Sequence, residues 1–481
     1  MKKWSLKEYN IKLLIFTICI SLFTTIINLP IPIEINIILN NIWFIILFIV
    51  DICILLQRKE NRIFVYRRLK SNKLFFCVLS SYYIIEIITF FRSNNYEYCY
   101  MRIANMSKLF IIIMTVVICN TKKENLKNLL ACVGITNILI LVISIVLYYN
   151  DYNYYLEKIS TIRDYNVFSE YIFFGMVCAT TYIVKYIDKA IIKTILLSIL
   201  FALNFSVILY SGSRRGIIYV IVFIIGLVFY GIYSVVFYKN FFKKAVMSIF
   251  IMIVCVSGVY IQNINFNNHI ENYYNIENKI NTSQIDQIEE NKNGIEENRN
   301  DEFSRGQGET SNKSRYKTIT LKENQALASR EKIWEIAIGK INEEPLMKLI
   351  LGNGLSYSKE IYEDLNNPNV VALMNKTGTD KSAKEWMTPH NIVLSTVLEG
   401  GLLKVAILII LHCVIVYSIL KTKDSKYILC SGLLLIEFIG IFILGCDNGV
   451  LSDELWISFV TIVLMMNYKK VNNYEIKDKS E

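Results

Sequence analysis

Residues 190–237 read AIIKTILLSILFALNFSVILYSGSRRGIIYVIVFIIGLVFYGIYSVVF. Two apolar runs flank a short turn that contains Arg214 and Arg215, and each run is close to the roughly 20 residues that span a bilayer. Similar runs recur along the chain, which has 481 residues and is 54% hydrophobic. A soluble globular domain has a lower apolar content. The sequence therefore predicts an all-α integral membrane protein.

The apolar runs predict about twelve transmembrane helices. We expect them at 11–29, 37–56, 74–91, 103–119, 127–149, 167–186, 190–210, 214–237, 243–262, 391–419, 427–446 and 455–468. Residues 1–262 then hold the first nine helices, and 391–468 hold the last three.

Basic residues are distributed unevenly between the predicted loops. If the N-terminus is cytoplasmic, the inside segments carry 27 Lys and Arg and the short outside loops carry six. Short cytoplasmic loops are normally enriched in Lys and Arg. This predicts that both termini, including the tail 469–481, are cytoplasmic and that 263–390 is an extracytoplasmic loop between spans nine and ten. The net charge of +10 is explained by this bias, so it does not indicate nucleic-acid binding.

The extracytoplasmic loop divides into two parts. Residues 265–325 are rich in Asn, Glu, Lys, Gln and Ser with few apolar side chains, so we expect this part to be disordered. Residues 326–390 are expected to be helical, because ALASREKIWEIAIGKI at 326–341 has helical apolar spacing. We expect this part to be catalytic as well, because it contains the candidate site residues Arg330 and His390.

Cysteine and histidine patterns give no metal site. The eleven cysteines include no CxxC pair, and the chain has three histidines without a ligand cluster. We expect no metal and no other cofactor.

Three features are expected on the outer surface of the membrane. The pair Arg214 and Arg215 opens a helix, where free N–H groups and the helix dipole favour phosphate. The alternative is that both arginines extend to lipid head groups. Arg330, four residues before Trp334, is either part of the same anion site or an exposed residue of an amphipathic helix. His390 precedes the next span and is either a general base or a structural residue.

Several motifs occur in a characteristic order. They are SGSRRG at 211–216, Ser329-Arg330 with Trp334, LGNG at 351–354, HNIVL at 390–394 and LEGG at 398–401, and Asp164-Tyr-Asn166 precedes the sixth span. Together they resemble the superfamily of O-antigen ligases and bacterial polysaccharide polymerases. The resemblance covers roughly residues 160–420. The sequence departs from the family pattern at two places. Lys404 stands where family members often have a glycine, and the 265–325 tract is the second departure.

The resemblance implies a GT-C-like membrane glycosyltransferase of the bacterial cytoplasmic (inner) membrane with its active site on the extracytoplasmic face. Its donor would be a glycan on undecaprenyl diphosphate, and its acceptor another glycan or lipid-linked glycan. Carried over, Arg214, Arg215 and Arg330 would hold the donor diphosphate, and His390 would be the catalytic base. Asn166, Asn391 and Glu399 are candidate supporting residues. Such a reaction needs neither metal nor nucleotide sugar.

The motifs leave several functions open. We expect a polymerase of repeat units for a capsule or O-antigen type polysaccharide, working with a flippase and a chain-length regulator. The Ile, Asn and Lys-rich composition is typical of AT-rich genomes, and many bacteria with such genomes lack lipopolysaccharide, which favours a polymerase. The alternatives are a ligase acting on lipid A core, protein or cell wall, and a transporter of lipid-linked oligosaccharide. A transporter typically shows repeated halves and interrupted helices, and no convincing internal repeat is evident.

Overall fold

The computed structural model describes residues 6–27, 33–71, 73–119, 123–150, 158–162, 165–237, 241–292, 324–364, 366–377, 388–389 and 391–420. These residues form α-helices without a β-strand among them, which confirms the predicted all-α class for this part of the chain. The helices are α1 (Leu6–Ile26), α2 (Ile33–Gln57), α3 (Lys59–Ser71), α4 (Lys73–Phe91), α5 (Tyr96–Ile118), α6 (Lys123–Tyr149), α7 (Tyr165–Tyr186), α8 (Ala190–Tyr210), α9 (Arg214–Phe237), α10 (Phe241–Lys292), α11 (Asn324–Glu343), α12 (Leu346–Leu351), α13 (Tyr357–Glu360), α14 (Pro368–Thr377) and α15 (Ile392–Leu420).

Seven helices of the described residues are long and apolar enough to cross a membrane. They are α1, α4, Glu124–Tyr149 of α6, α7, α8, Ile249–Asn272 of α10 and Ile392–Val414 of α15. An eighth candidate joins Asn41–Gln57 and Lys59–Lys70 across a bend of 111°. The chain is thus a multi-pass membrane protein. The count of about twelve spans stays a prediction, because 427–446 and 455–468 lie outside the described residues.

Helix α7 lies at the centre of the bundle. Every side chain from Phe168 to Thr181 is buried, which is typical of a helix surrounded by other helices. Small residues allow α6 to approach it closely, because a Cβ added at Gly175 would lie 2.4 Å from Asn137. The Asn137 amide in turn donates a 3.0 Å hydrogen bond to Asn204 of α8.

Helix α10 is longer than the sequence predicted. The expected span ended at 262 and the tract from 265 onward was expected to be disordered, but the helix continues to Lys292. A helix that extends an existing span needs no new nucleation. Its first turns beyond the predicted end are also packed, since Phe266 stacks on Tyr148 at 5.3 Å between ring centroids. Residues 293–323 lie outside the described residues.

The helices α11 to α14 form what we call the connecting segment, residues 324–377, between α10 and α15. The expected loop helix at 326–341 corresponds to α11, which ends at Glu343, two residues before Pro345. The part after 356 contains the short helices α13 and α14. The segment has a small core of its own, to which α11, the turn after α13, α14 and α15 contribute the buried side chains Ile333, Ile336, Ala337, Ile361, Tyr362, Val370 and Leu398.

Candidate functional site

The turn between α8 and α9 is fixed by hydroxyl groups. Ser213 accepts a 3.1 Å hydrogen bond from the Gly216 amide, which is the pattern of a helix N-cap. The Ser213 hydroxyl donates at 3.0 Å to Asn166 Oδ1, and the Ser169 hydroxyl donates to Ser213 at 2.8 Å. The structure therefore brings Asn166 to the arginine turn, where it helps to hold the cap of α9.

Glycine is required twice in this turn. Gly212 has a φ of 74°, in the left-handed region that favours glycine. A Cβ at Gly216 would lie 2.6 Å from Ile208 Cγ2 and 3.0 Å from Ser169 Cβ. The spacing of SGSRRG thus follows from a tight reversal against α7, which places two consecutive arginines at the beginning of α9.

The two arginines have different surroundings. Arg214 is exposed. Arg215 is largely buried, and its Nη1 lies 3.1 Å from Glu170 Oε1 on α7, with exposed side-chain fractions of 11% and 6%. The Tyr219 hydroxyl approaches the same carboxylate at 3.4 Å. Arg215 therefore points into the protein with its charge balanced by Glu170, whereas Arg214 presents its guanidinium to the surface.

Helix α11 is tied to the residue that precedes His390. Arg330 lies on α11, one turn before Trp334. The Trp334 indole Nε1 donates a 2.8 Å hydrogen bond to the Pro389 carbonyl oxygen. His390 itself and the Arg330 side chain lie outside the described residues. The helix that carries Arg330 is therefore hydrogen-bonded to Pro389, the residue before His390.

Asn391 caps helix α15. Its side-chain Oδ1 accepts hydrogen bonds from the amides of Val393 at 2.9 Å and Leu394 at 3.2 Å. This is the usual action of asparagine at a helix N-terminus. It fixes the direction in which the chain leaves His390.

Glu399 is the centre of a buried charge cluster that the sequence did not reveal. The cluster consists of Glu86 on α4, Arg102 on α5, and Glu399 and Lys404 on α15. Arg102 bridges both carboxylates, at 2.6 Å from Glu399 Oε2 and 3.1 Å from Glu86 Oε1. The Lys404 ammonium lies 2.9 Å from Glu86 and 3.7 Å from Glu399. Two positive and two negative groups therefore compensate one another.

The cluster also holds the connecting segment. The Ser358 hydroxyl donates a 2.7 Å hydrogen bond to Glu399 Oε1. The amides of Asn353 and Gly354 donate at 3.0 Å to the carbonyl oxygens of Leu398 and Glu399. The motifs LGNG at 351–354 and LEGG at 398–401 are therefore in direct contact.

A backbone kink makes this contact possible. Gly401 interrupts the helical conformation of α15 with a φ of 71°. A Cβ at Gly352 would lie 2.2 Å from the Glu399 oxygen, and a Cβ at Gly401 would lie 2.2 Å from the Ile350 oxygen. Glycines on both sides let the two backbones touch.

The remaining expectations concern ligands. In the part of the chain that the structure describes, no group of three or more His, Cys, Asp or Glu side chains is placed to hold a metal ion.

Tyr357 at the edge of the connecting segment donates a 2.6 Å hydrogen bond to Glu344, and burial together with this carboxylate raises the pKa of the phenol.

Residues 197–411 match a family model described as O-antigen ligase. The match includes Arg214, Arg215, Arg330, His390 and Glu399. Asn166 and the helices before it lie outside the match, which is therefore shorter than the range 160–420 predicted from the motifs. A search of curated proteins gave no match.

Proposed function

Because this chain belongs to the O-antigen ligase-like superfamily, whose members act on lipid-linked glycans, we propose that it polymerises oligosaccharide repeat units carried on undecaprenyl diphosphate. The observation that carries the proposal is the family match, since it contains the arginine turn and the segment around His390 together. The product would be a surface polysaccharide of the capsule or O-antigen type. The enzyme would work in the bacterial cytoplasmic membrane, with its site on the extracytoplasmic face and with a flippase and a chain-length regulator as partners.

The donor diphosphate would be held by Arg214, Arg215 and Arg330. Arg214 is exposed at the N-terminus of α9, where the helix dipole also favours an anion. Arg215 is oriented by Glu170 at 3.1 Å and would contribute the positive charge of its guanidinium group. Arg330 would approach from α11. Several guanidinium groups held in place neutralise the charge that develops on a departing diphosphate, which is the electrostatic role that a metal ion has in other phosphate chemistry.

His390 would act as the general base. It would accept the proton of the acceptor hydroxyl while the hydroxyl oxygen bonds to the anomeric carbon of the donor. The bond between that carbon and the diphosphate oxygen breaks in the same step, so the configuration at the carbon inverts. The undecaprenyl diphosphate leaves with its added negative charge balanced by the arginines.

Two hydrogen bonds support this placement of the base. The Trp334 bond to the Pro389 oxygen and the Asn391 cap of α15 constrain the residues immediately before and after His390. A base must be held within hydrogen-bond reach of the proton it removes. In this proposal, Glu399 and its cluster position the connecting segment and do not contact the substrate.

The proposal is tested with purified protein in vesicles that contain a synthetic undecaprenyl-diphosphate-linked repeat unit. A ladder of products that differ by one repeat unit is expected from the donor alone. A ligase, the function that the description of the matched family favours, would require a second acceptor such as lipid A core. Product formation only after that acceptor is added would overturn the polymerase proposal while leaving the transferase class intact.

A further inference from the structure

Helix α12 exposes apolar side chains instead of burying them. Leu346 is 69% exposed and Met347 is 65% exposed, and Ile350 and Leu351 are each 38% exposed. None of the six residues of α12 is buried. A short helix in an aqueous loop would be expected to turn its apolar side chains toward the protein core.

One end of α12 is fixed to the end of a candidate membrane span. Span α4 ends at Phe91. The Arg92 Nη1 donates a 2.9 Å hydrogen bond to the Leu351 oxygen, and the Leu355 amide donates at 3.0 Å to the Thr89 oxygen. A Cβ at Gly354 would lie 2.6 Å from the Arg92 oxygen. The chain that follows α12 therefore lies at the level where α4 leaves the apolar part of the membrane.

The other side of α12 touches a second candidate span. Gly401, at the kink of α15, is so close to Ile350 that an added Cβ would lie 2.2 Å from its carbonyl oxygen. The residues that follow the kink, Leu402 and Leu403, are 48% and 44% exposed on that span. On α4, Ile88 and Phe91 are 51% and 71% exposed just before Arg92. The apolar surface of α12 is therefore bounded by the apolar surfaces of two spans.

The polar and aromatic residues on α12 and after the end of α4 are those of a membrane interface. Tyr96 and Tyr100, which begin α5, are 53% and 71% exposed, and tyrosine is enriched where a bilayer meets water. Lys348, which lies 3.9 Å from Glu344, and Arg92 are also exposed, and basic side chains at this level are attracted to phospholipid phosphates. Long basic side chains commonly reach the head groups while their neighbours remain in the apolar region.

We propose that α12 is an interfacial membrane anchor, which inserts Leu346 and Met347 into the apolar edge of the bilayer. The anchor fixes the connecting segment at the membrane surface, and its partner is the lipid bilayer rather than a second protein. A helix that lies in the plane of the interface with apolar residues on one side is a known mode of membrane attachment.

The test uses a solvent-sensitive fluorescent amino acid that replaces Met347 by stop-codon suppression in the full chain. The same label replaces Ile88 as a control in the lipid and Asp364, which is exposed on the connecting segment, as a control in water. Each protein is reconstituted in phosphatidylcholine vesicles with or without lipids that carry a doxyl quencher near the top of the acyl chain.

The anchor predicts blue-shifted emission at Met347 and quenching by the doxyl lipids of the same order as at Ile88, severalfold above the quenching at Asp364. Emission like that of Asp364 would overturn the proposal. Blue-shifted emission without lipid quenching would also overturn it, because the side chain would then be covered by protein. Labelling at Leu346 repeats the measurement if the Met347 variant fails to fold. The result does not depend on transferase activity, so it is independent of the proposed function.

Discussion

The indole nitrogen of Trp334 donates a 2.8 Å hydrogen bond to the carbonyl oxygen of Pro389. This bond joins the middle of α11 to the residue before His390. Trp334 also packs at the edge of the core that α11 shares with α13, α14 and α15. The residue before the proposed base is thus tied to the helix that carries Arg330.

Replacement of Trp334 by phenylalanine removes this hydrogen bond and keeps an aromatic ring in the core. We expect kcat of glycan transfer to fall by about fivefold, because a lost hydrogen bond of about 1 kcal/mol releases the segment that holds His390. The KM for the lipid-linked donor should change little. Steady-state kinetics of Trp334→Phe in vesicles measure both constants, and an unchanged kcat would contradict the coupling.

The glycines at the contact of LGNG with LEGG should not tolerate a side chain. Gly352→Ala places a Cβ at a φ of 73° and 2.2 Å from the Glu399 oxygen. We expect a loss of about 1–3 kcal/mol in stability, seen as a lower midpoint of thermal unfolding in detergent. The matched control is Gly339→Ala on α11, where an added Cβ meets nothing within 4 Å. That change should be neutral or stabilise the helix by about 1 kcal/mol. Equal midpoints for the two variants would refute the close contact.

The stability of the protein should depend on the balance of positive and negative charges in the buried cluster. Lys404→Met removes one positive charge and leaves two buried carboxylates with Arg102 alone. Breaking a buried pair in this way typically costs about 3–5 kcal/mol. The double variant Glu86→Gln with Lys404→Met restores neutrality and retains the 2.6 Å pair of Arg102 and Glu399. We expect it to recover most of the lost thermal stability, and a double variant no more stable than the single one would show that charge balance is not the cause.

Substitution of Arg214 and substitution of Arg215 should have different effects on stability. Arg214 is exposed, so Arg214→Ala should raise the KM for donor by about tenfold without lowering the unfolding midpoint. Arg215→Ala also leaves the Glu170 carboxylate buried without its guanidinium partner, and it should lower both activity and stability. Thermal unfolding and donor titration of both variants check this difference. The same loss of stability in both would contradict the distinct environments.

The sequence predicts the helices well where their apolar runs are long. Helix α7 was expected at 167–186 and is observed at Tyr165–Tyr186. A long apolar run that crosses a bilayer forms an α-helix, because every backbone group must be hydrogen-bonded within the segment. The number of spans stays a prediction.

The charge cluster could not be predicted in the same way. Arg102 and Glu399 are 297 positions apart, and nothing in either local sequence identifies the partner. Glu86 and Glu399 were recognisable as acids in apolar runs, and Lys404 as a departure from the glycine expected there. Their mutual arrangement depends on how α4, α5 and α15 pack. Likewise, the packing of Phe266 on α10 against Tyr148 is not disclosed by the polar composition of that tract.

The central claim is that His390 is the general base of a lipid-linked glycan transferase. It is tested most directly by the rate of transfer from a synthetic undecaprenyl-diphosphate-linked repeat unit by purified His390→Ala in vesicles, with His269→Gln as the histidine control. General-base catalysis contributes about 10²- to 10⁴-fold, so we predict a loss of that size for His390→Ala with an unchanged unfolding midpoint and a normal rate for the control. Transfer by a folded His390→Ala protein at the rate of the unaltered protein would contradict the claim.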